Sequence, residues 1–387
     1  MKRLIIAIWV APALIYNATA CAQTGTFIDR QDPADLRIAD YNVNFDSILP
    51  GGSQEQQFQR IIAALQPDIM TLQEITVNPQ QVADIFDAVL PLPGGQLWQA
   101  SMGHTNVTVS KYPQLLIASD TVPPGQRPQI MSLIDLPNAD FTQDIYLINE
   151  HYKCCSGGNQ DDLRQQQSDA VINWMRDARN PGESIDLPQD TPMVVLGDLN
   201  IVGGPAPLNT LIDGNIFDEA TYGLDSPPDW DGTTSTDLHP LHNGVGPDDY
   251  TWRNDNSSFA PGRLDYVIYT DSVMTPANNF VLDTTLMTPA ELAATGLQEF
   301  DVVLNPPGQF DHLPLVVDFR FAGMPIVPDG DLSLDGLTNG EDVQWFADLM
   351  IAGAGGDPNR IGHGDYDQNG VVDFNDIPPF VADLLAP

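Results

Sequence analysis

The sequence predicts an α/β layered domain followed by a small, acidic second unit. Two observations predict the first. Short β-like runs alternate with polar helical stretches, and Gly/Pro/Asp-rich loops separate them, notably over 221–249. The third observation, a shift in composition at "AGMPIVPDG" (322–330), divides the chain. The β-like runs are "LRIADYN" (36–42), "DIMTLQE" (68–74), "DIYLINEH" (144–151), "MVVLGDLN" (193–200), "RLDYVIY" (263–269) and "HLPLVVDF" (312–319). Each is bounded by turn-forming residues and carries β-branched or aromatic content. "SQEQQFQRIIAALQ" (53–66) reads as a helix, because Phe58, Ile61, Ile62 and Leu65 recur at helical spacing. "DDLRQQQSDAVINWMRDA" (161–178) reads as a second. The layered domain ends near Phe321.

Fifty-three acidic residues face fifteen basic ones, only three of them Lys, for a formal charge of −38 over 387 residues. That balance argues against a continuous nucleic-acid-binding face, since phosphate binding rests on Lys and Arg. The charge suits a salty or calcium-rich medium, where repulsion is screened. At the N-terminus "MKRLIIAIWVAPALIYNATACAQ" has a basic start, an apolar stretch from Leu4 to Tyr16 and small residues before a Gln. This is the pattern of a secretory signal over 1–22, too short to span a membrane. Cleavage after Ala20 or Ala22 leads to a secreted or cell-surface protein, with lipidation at Cys21 as the alternative. No later apolar run approaches the ~18 residues of a spanning helix, so no transmembrane segment is expected. Cys154 and Cys155 match no zinc spacing and read as local scaffolding or a redox latch.

"VVLGDLNI" (194–201) poses the functional question. A strand fit for burial carries a carboxylate, Asp198, and an amide, Asn200, two positions apart. Other runs also stop at polar groups: Asn42, Glu74 and His151. Two begin with them: Asp265, and Asp311 with His312. Where neighbouring strands are antiparallel, the ends of some lie beside the starts of others, so all these groups can share one rim. Singly, each is an ordinary turn or surface residue; the ordered set carries the inference. Oxygen donors favour a hard metal, Mg²⁺ with Mn²⁺ or Ca²⁺ as substitutes. A histidine paired with an Asp serves acid–base chemistry, and a metal neutralises a phosphoryl oxygen. Together they point to hydrolysis of a phosphate ester.

"RIADYNV", "LQPDIMTLQEI", "TVSKYP", "INEHYK", "VVLGDLNI", "YTWR…RLDYVIY" and "FDHLPLVVDF" resemble, in order, the motifs of the endonuclease/exonuclease/phosphatase superfamily. Pancreatic deoxyribonuclease, abasic-site endonucleases, neutral sphingomyelinases and inositol phosphatases belong to it. The resemblance covers about 35–321 and implies a four-layer α/β sandwich of two mixed sheets flanked by helices. It implies Glu74 as principal metal ligand, helped by Asn42 and Asp311. Asp198 would orient or activate water, with Asn200 holding the water or the phosphate. His312, oriented by Asp265, would contact the phosphate or act as base, and His151 would serve the leaving group. The substrate stays open between nucleic acid and a lipid head group, with a phosphomonoesterase or a silent binding protein as further alternatives. Arg164, after "CCSGGNQDD", is a candidate phosphate clamp, the alternative being an exposed helix arginine. Phe310 stands where many members carry Ser. His239 and His242 lie in a long loop and read as solvated.

The second unit, 323–387, holds an internal repeat. "DLSLDGLTNGED" (331–342) and "DYDQNGVVDFND" (365–376) begin 34 positions apart. Asp331, Ser333, Asp335, Asn339 and Asp342 in the first, and Asp365, Asp367, Asn369, Asp373 and Asp376 in the second, put oxygen donors at the positions of a calcium loop. Gly336 and Gly370 stand at the sharp turn. The segment is similar to dockerin domains, small all-α calcium-binding modules, which implies Ca²⁺ in both loops and a cohesin-like protein partner. Pro378 and Pro379 depart from the pattern and predict a late start for the last helix.

Overall fold

Two six-stranded sheets stack face to face, each built around one parallel strand pair. The computed structural model describes residues 24–120, 129–182, 184–302, 310–322, 328–333, 338–353, 356–367 and 369–385. The expected signal over 1–22 and two positions of the first calcium loop, Asp335 and Gly336, lie outside them. In the first sheet β1 (Leu36–Asn42) runs parallel to β2 (Ile69–Gln73). β3 (Gln99–Gly103), β4 (Asn106–Ser110), β11 (Met274–Val281) and β12 (Leu315–Phe321) complete the order β11-β12-β1-β2-β4-β3. In the second, β7 (Ile145–His151) runs parallel to β8 (Met193–Asp198). β5 (Gln114–Asp120), β6 (Gln129–Ile134), β9 (Thr236–Leu238) and β10 (Asp265–Tyr269) give β5-β6-β7-β8-β10-β9.

Each parallel pair needs a crossover, and a helix supplies it. α1 (Glu55–Leu65) links β1 to β2 and lays Phe58, Ile61, Ile62 and Leu65 on Tyr41, Met70 and Leu72. α2 (Pro79–Val89) joins it on that face, capped by the Asn78 side chain, which accepts from the Gln80 N–H. α3 (Gly158–Arg179) links β7 to β8 and, with α4 (Ala206–Asp213), covers the outer face of the second sheet. Helices, sheet, sheet and helices make the four layers expected.

Strand alternation decides what meets between the sheets. In β1, Ala39 and Tyr41 face the helices, whereas Leu36 and Ile38 join Leu147, Val194, Leu196 and Val267 in the inter-sheet core. Farther along the same inner face the residues turn polar: Asp40 accepts from Thr71 Oγ1 (2.6 Å) and Gln73 Nε2 (2.8 Å). Gln73 Nε2 also reaches Asn149 Oδ1 of the other sheet at 3.0 Å. The core is therefore apolar at one end and polar at the other.

After residue 328, α5 (Asp342–Ala352), α6 (Pro358–Gly364) and α7 (Ile377–Leu384) surround a small core of Leu332, Phe346, Leu349, Ile361, Val372 and Phe380. Phe346 and Phe380, each four residues beyond the last position of its repeat, stack at 4.2 Å and 7°. The late helix start expected from Pro378 and Pro379 is not found. Both sit in the first turn of α7, where an N–H has no intrahelical partner to lose. Arg320 of β12 joins the units, with Nε on Asp35 (2.9 Å) and Nη1 beside His363 (3.3 Å).

A buried ion pair locks the first sheet to its helix. Arg37 donates twice to Asp318 across β1–β12, both at 2.6 Å, and its Nη1 reaches the Leu65 carbonyl at the end of α1. Arg37→Met strands a buried carboxylate and is expected to lower unfolding free energy by about 3–5 kcal/mol in urea denaturation. The double variant with Asp318→Leu should recover much of that loss.

Candidate active site

The polar ends of the inner strands meet at one rim. Antiparallel register sets Asp265, the first residue of β10, opposite Asp198, the last of β8; parallel register sets His151 beside Asp198 from the other flank. Gly197 permits that approach. With φ 128° it takes a backbone geometry that suits glycine, and a Cβ there would collide with the Glu150 carbonyl. Asn42 comes from the facing sheet, its Nδ2 donating to Asp198 Oδ2 at 3.0 Å and Glu74 Oε1 at 3.4 Å. Glu74 follows β2 and leaves the strand through φ 68°. His151 Nε2 lies 3.3 Å from Asp198 Oδ2 and 4.0 Å from Glu74 Oε1.

His312 enters before β12, where it bridges to Trp252. Its Nδ1 lies 2.7 Å from Asp265 Oδ2 and its Nε2 3.8 Å from Asp198 Oδ2. The Trp252 indole donates to Asp311 Oδ2 at 3.1 Å, and the Arg253 N–H to the Asp311 carbonyl. The Asn200 N–H caps Asp198 Oδ1 at 3.1 Å, an Asx turn, while Asn200 Nδ2 points to the Tyr152 carbonyl. Asp198 thus spends one oxygen on its turn and offers the other to the rim.

Electrostatics sort these groups. Burial alone would strip His312 of its proton, but the Asp265 and Asp198 carboxylates outweigh it and raise the pKa to about 10. At neutral pH His312 is an imidazolium, suited to contacting phosphate rather than acting as base. Below the rim, burial pushes Asp40 up to about 8, and the Asp265 charge adds to the shift. Asp40, Gln73 and Asn149 were not singled out from the sequence. The available signal was a polar residue two before the final rim group in β1 and β7, Asp40 before Asn42 and Asn149 before His151, while Gln73 directly precedes Glu74. Thr251, whose Oγ1 accepts the Asp265 N–H at 2.8 Å, gave no such signal.

The oxygen-rich rim fits a hard cation. Glu74 is part-exposed, with the Asn42 amide 3.4 Å away, and Asp265 Oδ1 is buried without a hydrogen-bond partner. Asn42 stands as a donor to the two carboxylates, so its amide must turn over to offer oxygen. Asp311 stands on the neighbouring loop.

Two expectations need correction. Arg164 is neither an open clamp nor an exposed helix residue. It is buried, its Nη1 donating to the Lys153 (2.7 Å) and Cys155 (2.9 Å) carbonyls while Nη2 pairs with Asp161. It shapes the loop after His151 from beneath. His242 is not solvated but buried, with Nε2 2.7 Å from the Tyr250 carbonyl and Nδ1 3.5 Å from Asp283; His239 is exposed as expected. Phe310, in place of the usual Ser, packs on Tyr41 with ring centroids 4.8 Å apart, filling core rather than touching the rim. The Sγ atoms of Cys154 and Cys155 lie 2.9 Å apart on the loop that Arg164 holds.

The two repeats close alike. In the first, the Ser333 and Asn339 N–H groups both donate to Asp342, each at 2.7 Å. In the second, Asp367 and Asp373 donate to Asp376 at 3.1 and 2.8 Å. Asp331 accepts from Ser333 Oγ, and Asp365 from the N–H groups of Asn369 and Gly370. Among the described residues, Asp365, Asp367 and Asp376 form the one acidic trio with oxygens within 4.8 Å of one another.

Two facing mixed sheets with a carboxylate–histidine rim between their strand ends define a phosphoric ester hydrolase. The chain belongs to the Endonuclease/Exonuclease/phosphatase family, whose pattern matches residues 41–285. No curated protein matches the sequence. Among solved structures, the human Nocturnin catalytic domain with bound sulfate is 17% identical with TM-score 0.45, covering 74% of this chain and 95% of that one. TDP2 of D. rerio complexed with a single-strand DNA product is 16% identical with TM-score 0.44, covering 74% and 99%. An endonuclease/exonuclease/phosphatase from Beutenbergia cavernae is 18% identical with TM-score 0.45, covering 77% and 74%.

The Asp265–His312 contact has a pH signature. A folded pKa above the unfolded value of about 6.5 contributes stability that is complete below 6.5 and lost as pH rises toward 10. Proton NMR of the ring should show His312 protonated through neutral pH. In Asp265→Asn the pKa should fall well below about 10, and stability should depend less on pH between 6.5 and 10.

Proposed function

We propose that this protein is a divalent-metal-dependent phosphodiesterase of the nuclease type, exported by its N-terminal segment. The observation that carries the reading is the convergence of Asn42, Glu74, His151, Asp198, Asn200, Asp265 and His312 on one rim from both sheets, with Asp311 beside it. Glu74, with Asn42 and Asp311, would hold Mg²⁺, or Mn²⁺ or Ca²⁺ in its place. The bound ion would neutralise charge on a phosphoryl oxygen. Asp198, fixed by its Asx turn, orients a water toward phosphorus and accepts its proton; Asn200 helps hold that water. The His312 imidazolium, kept charged by Asp265, binds a non-bridging oxygen, where charge builds in the transition state. His151 protonates the departing oxygen as the P–O bond breaks. An oligonucleotide with an accessible strand is the favoured substrate, since an acidic surface offers no broad phosphate-binding face.

The C-terminal unit is proposed as a dockerin-like calcium module for a cohesin-like partner. Its support is the identical closure of the two loops on Asp342 and Asp376 and the symmetric Phe346–Phe380 stack. Ca²⁺ would neutralise carboxylates crowded in a core too small to offset their repulsion.

Glu74→Gln keeps the side chain's shape but removes charge. Hydrolysis of single-stranded DNA at limiting Mg²⁺ should fall by about 10²-fold or more, on the scale of other catalytic-group losses. Turnover that survives both this change and a chelator would refute the metal site. In calorimetry of the full chain with Ca²⁺, Asp376→Ala should delete one binding event and leave Mg²⁺-dependent turnover unchanged. Loss of turnover in the folded variant would show that the units are coupled.

A further inference from the structure

The loop after Asn42 holds a residue that folding alone does not explain. Phe45 has φ 66° and ψ −170°, a region essentially restricted to glycine. Its side chain is 62% exposed, so no core packing compensates for the strain. Both flanks are pinned. The Asn44 N–H donates to Asn42 Oδ1 (3.1 Å), Ser47 Oγ to the Val43 carbonyl (3.1 Å), and the Thr76 N–H to Asp46 Oδ1 (2.7 Å). The last bond ties this loop to the segment leaving Glu74. An exposed aromatic residue therefore stands on a pinned loop three residues from Asn42, bonded to the segment that leaves Glu74.

We propose that Phe45 is a substrate-contact residue, a platform on which a nucleobase next to the scissile phosphodiester stacks. The inference rests on the phosphodiesterase reading above and names its substrate class: a single strand with bases free to splay. Electrostatics leave few other grips. Arg164 is buried, while Arg253 and Arg263 on neighbouring loops are engaged by Asp255 and Asp237. With a formal charge of −38 no broad basic face is available to a polyanion, so stacking, which is open to every base, would add to the grip of His312 and a bound metal. A glycine would make the same turn without strain; only the phenylalanine offers a ring.

The test compares the full chain with Phe45→Gly and Phe45→Trp, on a single-stranded oligonucleotide and on an abasic oligonucleotide of equal length. Phe45→Gly should raise or preserve the melting temperature, because the strain is relieved. It should lower kcat/KM on the base-bearing strand by roughly 10- to 100-fold and on the abasic strand little. Phe45→Trp should restore most of the loss. Binding of dye-labelled strands to the Glu74→Gln background should show the same difference without turnover. A drop in melting temperature for Phe45→Gly would make the ring structural. Equal losses on both strands would remove stacking. Loss confined to sphingomyelin vesicles would make Phe45 a membrane contact, and each of these overturns the proposal. Wild-type protein that binds the base-bearing strand more tightly than the abasic one but cleaves neither, with Phe45→Gly abolishing the difference, would instead sink the phosphodiesterase reading and leave the platform standing.

Discussion

Asp198 and Asp265 face each other across an antiparallel strand pair, buried, with a third carboxylate, Asp40, below them. Like charges directly opposite on a sheet destabilise it, and a dry setting magnifies the cost. The rim can be understood as the relief of that repulsion. His312 stands between the two carboxylates and keeps its proton because of them. Asn42 and His151 approach Asp198 from the facing sheet and the parallel neighbour. Asp40 takes two hydrogen bonds and is pushed toward its neutral form. On the proposed mechanism, the groups that make the fold tolerable are also those that would serve a phosphoryl transition state: an imidazolium, a water-orienting carboxylate and a second histidine. Structural and catalytic demands coincide here because both concern concentrated negative charge.

Backbone strain gathers at the same place. Asn44, Phe45, Glu74 and Asn200 all have positive φ without being glycine. Each lies within three residues of the end of β1, β2 or β8. A strand leaving a sheet must either continue over the core or turn away at once. A left-handed residue turns it within one step and leaves the preceding side chain aimed along the inner face. Glu74 is itself the turning residue, which lifts it out of the strand and leaves it more exposed than Asn42 or Asp198.

Much of this was legible in the sequence, for identifiable reasons. Each of the six β-like runs coincides with part or all of a strand, because each carries an inner-face apolar series that ends or starts in a polar group. Register brings the polar groups to one edge within each sheet, and the facing of the two sheets brings Asn42 and Glu74 to Asp198 and His151. Six other strands escaped notice, and two of them lacked such contrast. β3 reads "QASMG" and β11 "MTPANNFV", too polar or too proline-interrupted to announce strands, yet β3 is held by β4 and β11 by β12. Arg164 and His242 were misplaced because burial of a polar side chain depends on how the adjoining loop folds back over it, here bringing the Lys153 and Tyr250 carbonyls against the two side chains. The inter-sheet contact of Gln73 with Asn149 needs the facing of two sheets, which no single strand's pattern encodes.

The C-terminal unit meets the same physical problem on a smaller scale. From 325 onward it holds twelve acidic residues and one basic one, Arg360. Part of the charge is answered internally: Asp342 and Asp376 each accept two backbone N–H groups, and Asp365 accepts two more. Arg360 is used elsewhere, its guanidinium 3.7 Å from the centre of the Trp345 ring and bonded to the Leu332 carbonyl. Arg320 adds a positive charge from the catalytic domain, but at His363 and the Asp32–Asp35 side rather than in the loops. Backbone dipoles can orient a carboxylate without cancelling it. On the proposed calcium reading, a cation from solution would answer the charge at Asp365, Asp367 and Asp376, as a metal would at the rim between the sheets. In the rim the protein supplies part of that charge itself through His312; in the loops it supplies none.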